Sequence, residues 1–122
     1  MITAYICSRS SVSLLHAHVI FTTKYRRRVI SSRVMTTILD TLKQSCDSLG
    51  IHLVEANGEQ DHVHLMILYP PKHGLSDIVR ILKANTSRSV RAMGSPEVRR
   101  KLYGDHFWTP SYFTVSCGGA PL

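Results

Sequence analysis

Apolar positions along the chain switch between a period of two and a period near 3.6, and the switching predicts the elements. Residues 15–23 are rich in β-branched and aromatic side chains, which predicts a strand. Ser31 or Ser32 then offers an N-cap. Val34, Met35, Ile38, Leu39, Leu42, Cys46 and Leu49 follow at helical spacing, with Gly50 where a helix end favours a left-handed residue. Residues 51–56 read as a second strand, Asn57 and Gly58 as a turn whose loop runs on to Asp61, and residues 62–69 as a third strand closed by Pro70 and Pro71. Ser76 can cap a second helix with Ile78, Val79, Leu82, Val90 and Met93 on its apolar side and Arg80, Lys83, Arg88 and Arg91 on the other. Gly94, Ser95 and Pro96 end it. A helical piece over 97–103 leads to a last strand over 112–117, while residues 1–13 show no period and read as a flexible lead-in.

The order is strand, helix, strand, strand, helix, strand, an α+β pattern. Two such split units fold as a ferredoxin-like βαββαβ sandwich, an antiparallel sheet with two helices on one face and the first and third strands at its centre. With 122 residues the chain is expected to be a single domain over 1–122. That fold implies no function by itself.

Composition narrows the classes. No apolar run approaches the roughly 20 residues that a membrane span needs, and the N-terminus carries no secretory pattern. Cys7, Cys46 and Cys117 are scattered and odd in number, against a disulfide framework or a cysteine zinc site, so a cytoplasmic setting is expected. Fifteen Lys and Arg against eight Asp and Glu give a net charge of +7, an excess that favours phosphate backbones. The positive charge is bunched: Lys24, Tyr25, Arg26, Arg27 and Arg28 form one basic segment, and Arg99, Arg100 and Lys101 another. The Arg26–Arg28 cluster can grip phosphates or read guanine edges, whereas the basic face of the second helix reads equally well as a solvated surface.

The most informative stretch is Asp61-His62-Val63-His64-Leu65. Alternation puts His62 and His64 on one strand face, about 7 Å apart at a rise of ~3.3 Å per residue, so both imidazoles can converge on one divalent cation. Spacing alone fits two solvated histidines as well. Asp61 can supply a metal oxygen, hydrogen-bond a ligand histidine or cap the turn; Glu55 and Glu59 are weaker candidates. His16 and His18 on the neighbouring strand leave a four-histidine site open, since sequence does not match the faces of two strands. The two-histidine phosphoesterase pattern fails, because Ile20 and Met66 stand where it needs Thr or Ser.

At this point several motifs fall together. The run from His18 through Phe21, Lys24 and Tyr25 to Arg28 resembles the first strand and basic turn of the smallest insertion-sequence transposases, the single-tyrosine HUH enzymes of the REP-associated tyrosine transposase superfamily. Asp61-His62-Val63-His64-Leu65 resembles their histidine-hydrophobe-histidine motif. The helical run from Leu82 to Arg88 and the run from Phe107 through Pro110 to Gly119 are similar to later parts of that family, so the likeness spans about His16 to Leu122.

The resemblance implies DNA transposition by cutting and rejoining single-stranded DNA hairpin ends. His62 and His64, with Asp61 as a further candidate, would hold a divalent metal, Mg or Mn, that polarises the scissile phosphate. A tyrosine would then attack to leave a 5′-phosphotyrosine and a free 3′-hydroxyl. Lys24, Tyr25, Arg26, Arg27, Arg28, Lys83 and Arg88 would contact DNA. It also implies a homodimer in a prokaryotic cytoplasm, with no membrane. In the family the nucleophile lies on a helix shortly after the turn matched by Gly118-Gly119, and no tyrosine stands there. Tyr5, Tyr25, Tyr69, Tyr103 and Tyr112 lie elsewhere, so this chain is expected to bind metal and DNA without forming the covalent link. The main rival is a non-catalytic module that binds single-stranded nucleic acid on the same fold; the aromatic signature of the common RNA-recognition version is absent.

Overall fold

The computed structural model describes residues 14–102 and 106–116. The expected lead-in, Cys7, Tyr5, Tyr103, Cys117 and the turn at Gly118-Gly119 lie outside the described residues. Within them the chain runs β1 (Leu15–Thr22), a single 3₁₀ turn (Lys24–Arg26), α1 (Ser32–Leu49), β2 (His52–Gly58), β3 (His62–Tyr69), α2 (Leu75–Ala92), α3 (Pro96–Leu102) and β4 (Phe113–Ser116). The four strands order as β2-β3-β1-β4, every neighbouring pair antiparallel, with β1 and β3 at the centre as the sequence predicts. This chain order and strand order are those of a ferredoxin-like arrangement.

Alternation divides the sheet into two faces. Ala17, Val19 and Phe21 of β1 and Val63, Leu65 and Ile67 of β3 are fully buried. They share one cluster with Val34, Ile38, Leu42 and Cys46 of α1 and Ile78, Val79, Leu82 and Val90 of α2. Burying each of the Val, Leu, Ile and Phe side chains among them contributes roughly 1.5–3 kcal/mol. Ser31 caps α1 by accepting from the Val34 amide at 3.3 Å, and Gly50 closes it at φ +71°.

Apart from one-residue shifts at several element ends, two features of the sequence reading change. β2 runs through Asn57 and Gly58, which pair with His64 and Val63, and the turn is Glu59 to Asp61. Gly58 serves close backbone approach: a Cβ there would lie 2.2 Å from the His62 carbonyl oxygen. Ser76 does not cap α2, which starts one residue earlier with Gly74 at the cap position and no side-chain cap bond. No helix among the described residues is long and apolar enough to cross a membrane.

Candidate metal and nucleic-acid site

Because Val63 and Leu65 are buried toward the helices, His62 and His64 project from the opposite, open face of the sheet. Register carries that face onto β1. Thr22 pairs with His62, Ile20 with His64, His18 with Met66 and His16 with Leu68. All four histidines of the central strands therefore share one face. Phe113 of β4 pairs with Ile20 and extends the row. His18, Ile20, His62, His64, Phe113 and Thr114 line one cavity of about 270 Å³.

Two contacts hold the histidines in place. The rings of His18 and His64 meet edge to face, with centroids 5.7 Å apart and planes at 80°. Nε2 of His18 is buried there with no hydrogen-bond partner among the described residues. Nδ1 of His62 lies 2.9 Å from Oδ1 of Asp61. An ionised carboxylate only accepts, so Nδ1 carries a proton, and in the neutral ring this leaves the lone pair on Nε2. The other carboxylate oxygen, Oδ2, accepts from Arg26 Nε at 3.1 Å and pairs with its terminal nitrogen at 3.0 Å. The hydrogen bond from His62, then that from Arg26, holds the Asp61 carboxyl below its ordinary range. Both carboxylate oxygens are thus engaged, which places Asp61 beside the histidine pair, orienting His62.

A divalent cation fits this donor set in part. Neutral imidazole on a preset tautomer suits Mn²⁺, Zn²⁺ or Co²⁺ better than Mg²⁺. Among the described residues no group of three His, Cys, Asp or Glu side chains converges on one point. His16 and His18 therefore do not complete a four-histidine set in this arrangement. The pair would leave positions open for water or phosphate oxygen.

The basic segment is latched to the same end of the sheet. Tyr25 and Arg26 both have positive φ, 59° and 54°, a conformation that costs about 1–2 kcal/mol per residue. Several bonds hold the strained turn. The Thr23 amide donates to the Asp61 carbonyl at 2.9 Å, the Thr23 hydroxyl to the Arg27 carbonyl at 2.7 Å, and the Lys24 amide to the Phe107 carbonyl at 2.9 Å. Tyr25 is 68% exposed. Lys24 Nζ lies 5.5 Å and Arg27 Cζ 4.9 Å from its centroid. Arg28 donates to the Gln60 side chain at 2.7 Å.

Lys83 and Arg88 sit elsewhere. The half-buried ammonium of Lys83 donates to the carbonyls of Thr109 and Ser111, and burial lowers its pKa. It ties α2 to the segment entering β4. Arg88 donates to Asn85 Oδ1 at 3.0 Å and lines a groove with α1 residues Thr41, Gln44 and Ser48, on the helix layer. Tyr112 packs against the core, and Tyr69 pairs with Leu15 at the end of β3 remote from His62. Sequence reasoning missed Ile20 and Phe113, whose period-two placement with the histidines was the available signal. It also missed the clamp in which Trp108 Nε1 donates to Thr86 Oγ1 at 2.9 Å.

Comparison with known proteins places this geometry. Residues 11–122 match the family model described as transposase, IS200 like. The chain is 32% identical over 110 residues to the ISDra2 transposase TnpA of Deinococcus radiodurans, covering 88% of this chain and 78% of that protein. A crystal structure of a transposase from Deinococcus radiodurans R1 is similar at TM-score 0.77 and 31% identity, over 85% of this chain and 79% of that one. A REP-associated tyrosine transposase bound to a REP hairpin shares the fold at TM-score 0.60 and 12% identity, over 84% of this chain and 55% of that one. The chain belongs to the IS200-like transposase family.

Proposed function

We propose that this transposase acts on single-stranded DNA hairpin ends, with His62 and His64 holding a divalent metal, Mn²⁺ or Mg²⁺, at the scissile phosphate. The observation that carries the reading is the histidine pair on an open sheet face, with the Asp61 carboxylate fixing the His62 tautomer. When bound, the metal supplies Lewis-acid stabilisation of charge on the phosphate. The protein's own groups do the rest: Asp61 aims His62, His18 braces His64, and Lys24 to Arg28 present cations to flanking phosphates. Lys83 fits a strut under the segment entering β4 better than a DNA contact, and Arg88 would meet only DNA that reaches the helix layer.

Cutting also needs a nucleophile, and among the described residues no tyrosine lines the histidine cavity. These 122 residues are therefore inferred to bind hairpin DNA and metal without forming a phosphotyrosine link. A homodimer in a prokaryotic cytoplasm completes the reading; β2 and β4, the edge strands of the sheet among the described residues, and the bacterial origin of the similar transposase support it.

The test mixes the chain with a labelled single-stranded hairpin and Mn²⁺, and runs a native gel beside a denaturing one. A native shift with no covalent band is expected, with competition by single-stranded DNA and not by RNA or nucleotides. A covalent band would overturn the missing nucleophile, and no shift would overturn the DNA reading.

A further inference from the structure

One carboxylate stands between the basic turn and the histidine pair. Asp61 gives Oδ1 to His62 Nδ1 at 2.9 Å and Oδ2 to Arg26 at 3.0 and 3.1 Å. Arg26 sits at positive φ on a turn that the main chain bolts to Asp61 itself, through the Thr23 amide. Its side chain is 69% exposed, that of Asp61 23%. The guanidinium is therefore held where an incoming phosphate can reach it, while its present partner is less exposed. Strained backbone maintained by several bonds marks a position where the surroundings fix a functional geometry.

Sharing has a chemical consequence. A carboxylate that accepts from a histidine Nδ1–H makes the opposite nitrogen a stronger donor to metal. A guanidinium on the same carboxylate withdraws negative charge from it and weakens that effect. Phosphate offers a guanidinium the same bidentate geometry as carboxylate with more charge. Arg26 drawn onto a phosphate leaves Asp61 wholly to His62.

We propose that Arg26 and Asp61 form a positioning link through which a DNA phosphate bound at the basic turn tightens divalent-metal binding at His62 and His64. The proposal rests on the metal reading above and adds to it a reciprocal coupling between the two sites. DNA then loads its own metal site, and the chain without DNA holds metal less firmly. Arg28 provides the contrast, because it carries the same charge on the same segment and bonds Gln60 instead.

The experiment is a Mn²⁺ titration of the 122-residue chain, read by the electron paramagnetic resonance signal of free Mn²⁺, with and without saturating single-stranded oligodeoxythymidine. Oligonucleotide alone is the blank. Arg26→Gln is expected to tighten Mn²⁺ about two- to five-fold without DNA, the range of an exposed ion pair. It should also shrink the tightening that DNA brings. Asp61→Asn is expected to weaken Mn²⁺ about ten-fold or more. In the Asp61→Asn background the effect of Arg26→Gln should vanish, and Arg28→Gln should not reproduce it. Arg26→Gln acting equally in both backgrounds, or Arg28→Gln matching it, would overturn the link while leaving the metal reading intact. Wild-type chain that binds no Mn²⁺ would overturn both.

Discussion

The Trp108–Thr86 hydrogen bond offers a sharp test of how the site is built. Trp108 is 4% exposed and Thr86 fully buried, and Trp108 Nε1 donates to Thr86 Oγ1 at 2.9 Å. The Thr86 hydroxyl in turn donates to the Leu82 carbonyl at 2.7 Å, within α2. Thr86→Val keeps the shape and removes the acceptor. An indole N–H left buried without a partner costs about 1–3 kcal/mol. The Leu82 carbonyl keeps its helical amide partner, and the new methyl gains something from burial, so the expected loss is about 1–2 kcal/mol. With a urea slope of about 1–3 kcal/mol per molar, the midpoint should fall by roughly 0.3 to 2 M.

The consequence reaches the basic turn, because the Trp108 segment is zipped to it. Thr23 bridges Trp108, the Thr109 amide donates to the Thr22 carbonyl at 2.8 Å, and Lys24 bonds Phe107. Hydrogen exchange at the Lys24 amide should therefore quicken in Thr86→Val. Circular dichroism in urea is the right probe for the full cycle, since Trp108 is the one tryptophan and Trp108→Phe removes its fluorescence. The two substitutions should couple by about 1 kcal/mol or more. A Thr86→Val loss under ~0.3 kcal/mol, or a Trp108→Phe loss unchanged by Thr86→Val, would refute the reasoning.

Other expectations follow from the same geometry. Burial pushes the Cys46 thiol up to about 11, so in a Cys7→Ser, Cys117→Ser background it should resist a thiol reagent at pH 8 until urea unfolds the chain. The Asp61 carboxyl is held below its ordinary value near 3.8, so its contribution is complete above that pH and lost as pH falls through the lower folded value. Asp61→Asn should flatten the acid limb of stability measured by urea midpoints below pH 4, and a limb of unchanged slope would contradict the His62 and Arg26 bonds. Gly58→Ala should disrupt the β2–β3 hairpin and weaken Mn²⁺ binding, because its Cβ meets the His62 carbonyl at 2.2 Å. Gly50→Ala meets nothing within 4 Å and should cost only the left-handed backbone, about 1–2 kcal/mol; equal urea midpoints for the two variants would contradict this.

Much of the fold was legible because its signals are local. Ser31, the apolar spacing from Val34 to Cys46 and Gly50 define α1 without reference to the rest of the chain. At two positions the local signal misleads. Asn57-Gly58 looks like a hairpin turn, yet Gly58 is there for the backbone of His62. Ser76 looks like a cap, yet α2 begins at Leu75. The site divides the same way. His62 and His64 sharing a face follows from alternation within one strand, whereas placing His18 and His16 on that face requires the β1–β3 register. Lys83 shows the limit of a helical-wheel reading, since only the packed segment at Thr109 and Ser111 reveals what its ammonium holds.

The metal centre is the claim on which the proposed chemistry depends, and Mn²⁺ binding by wild-type chain against His62→Ala/His64→Ala tests it most directly. One Mn²⁺ bound per wild-type chain and none by the double variant, with both folded by circular dichroism, is the expected result. Equal binding by the two proteins, or none by either, would contradict it.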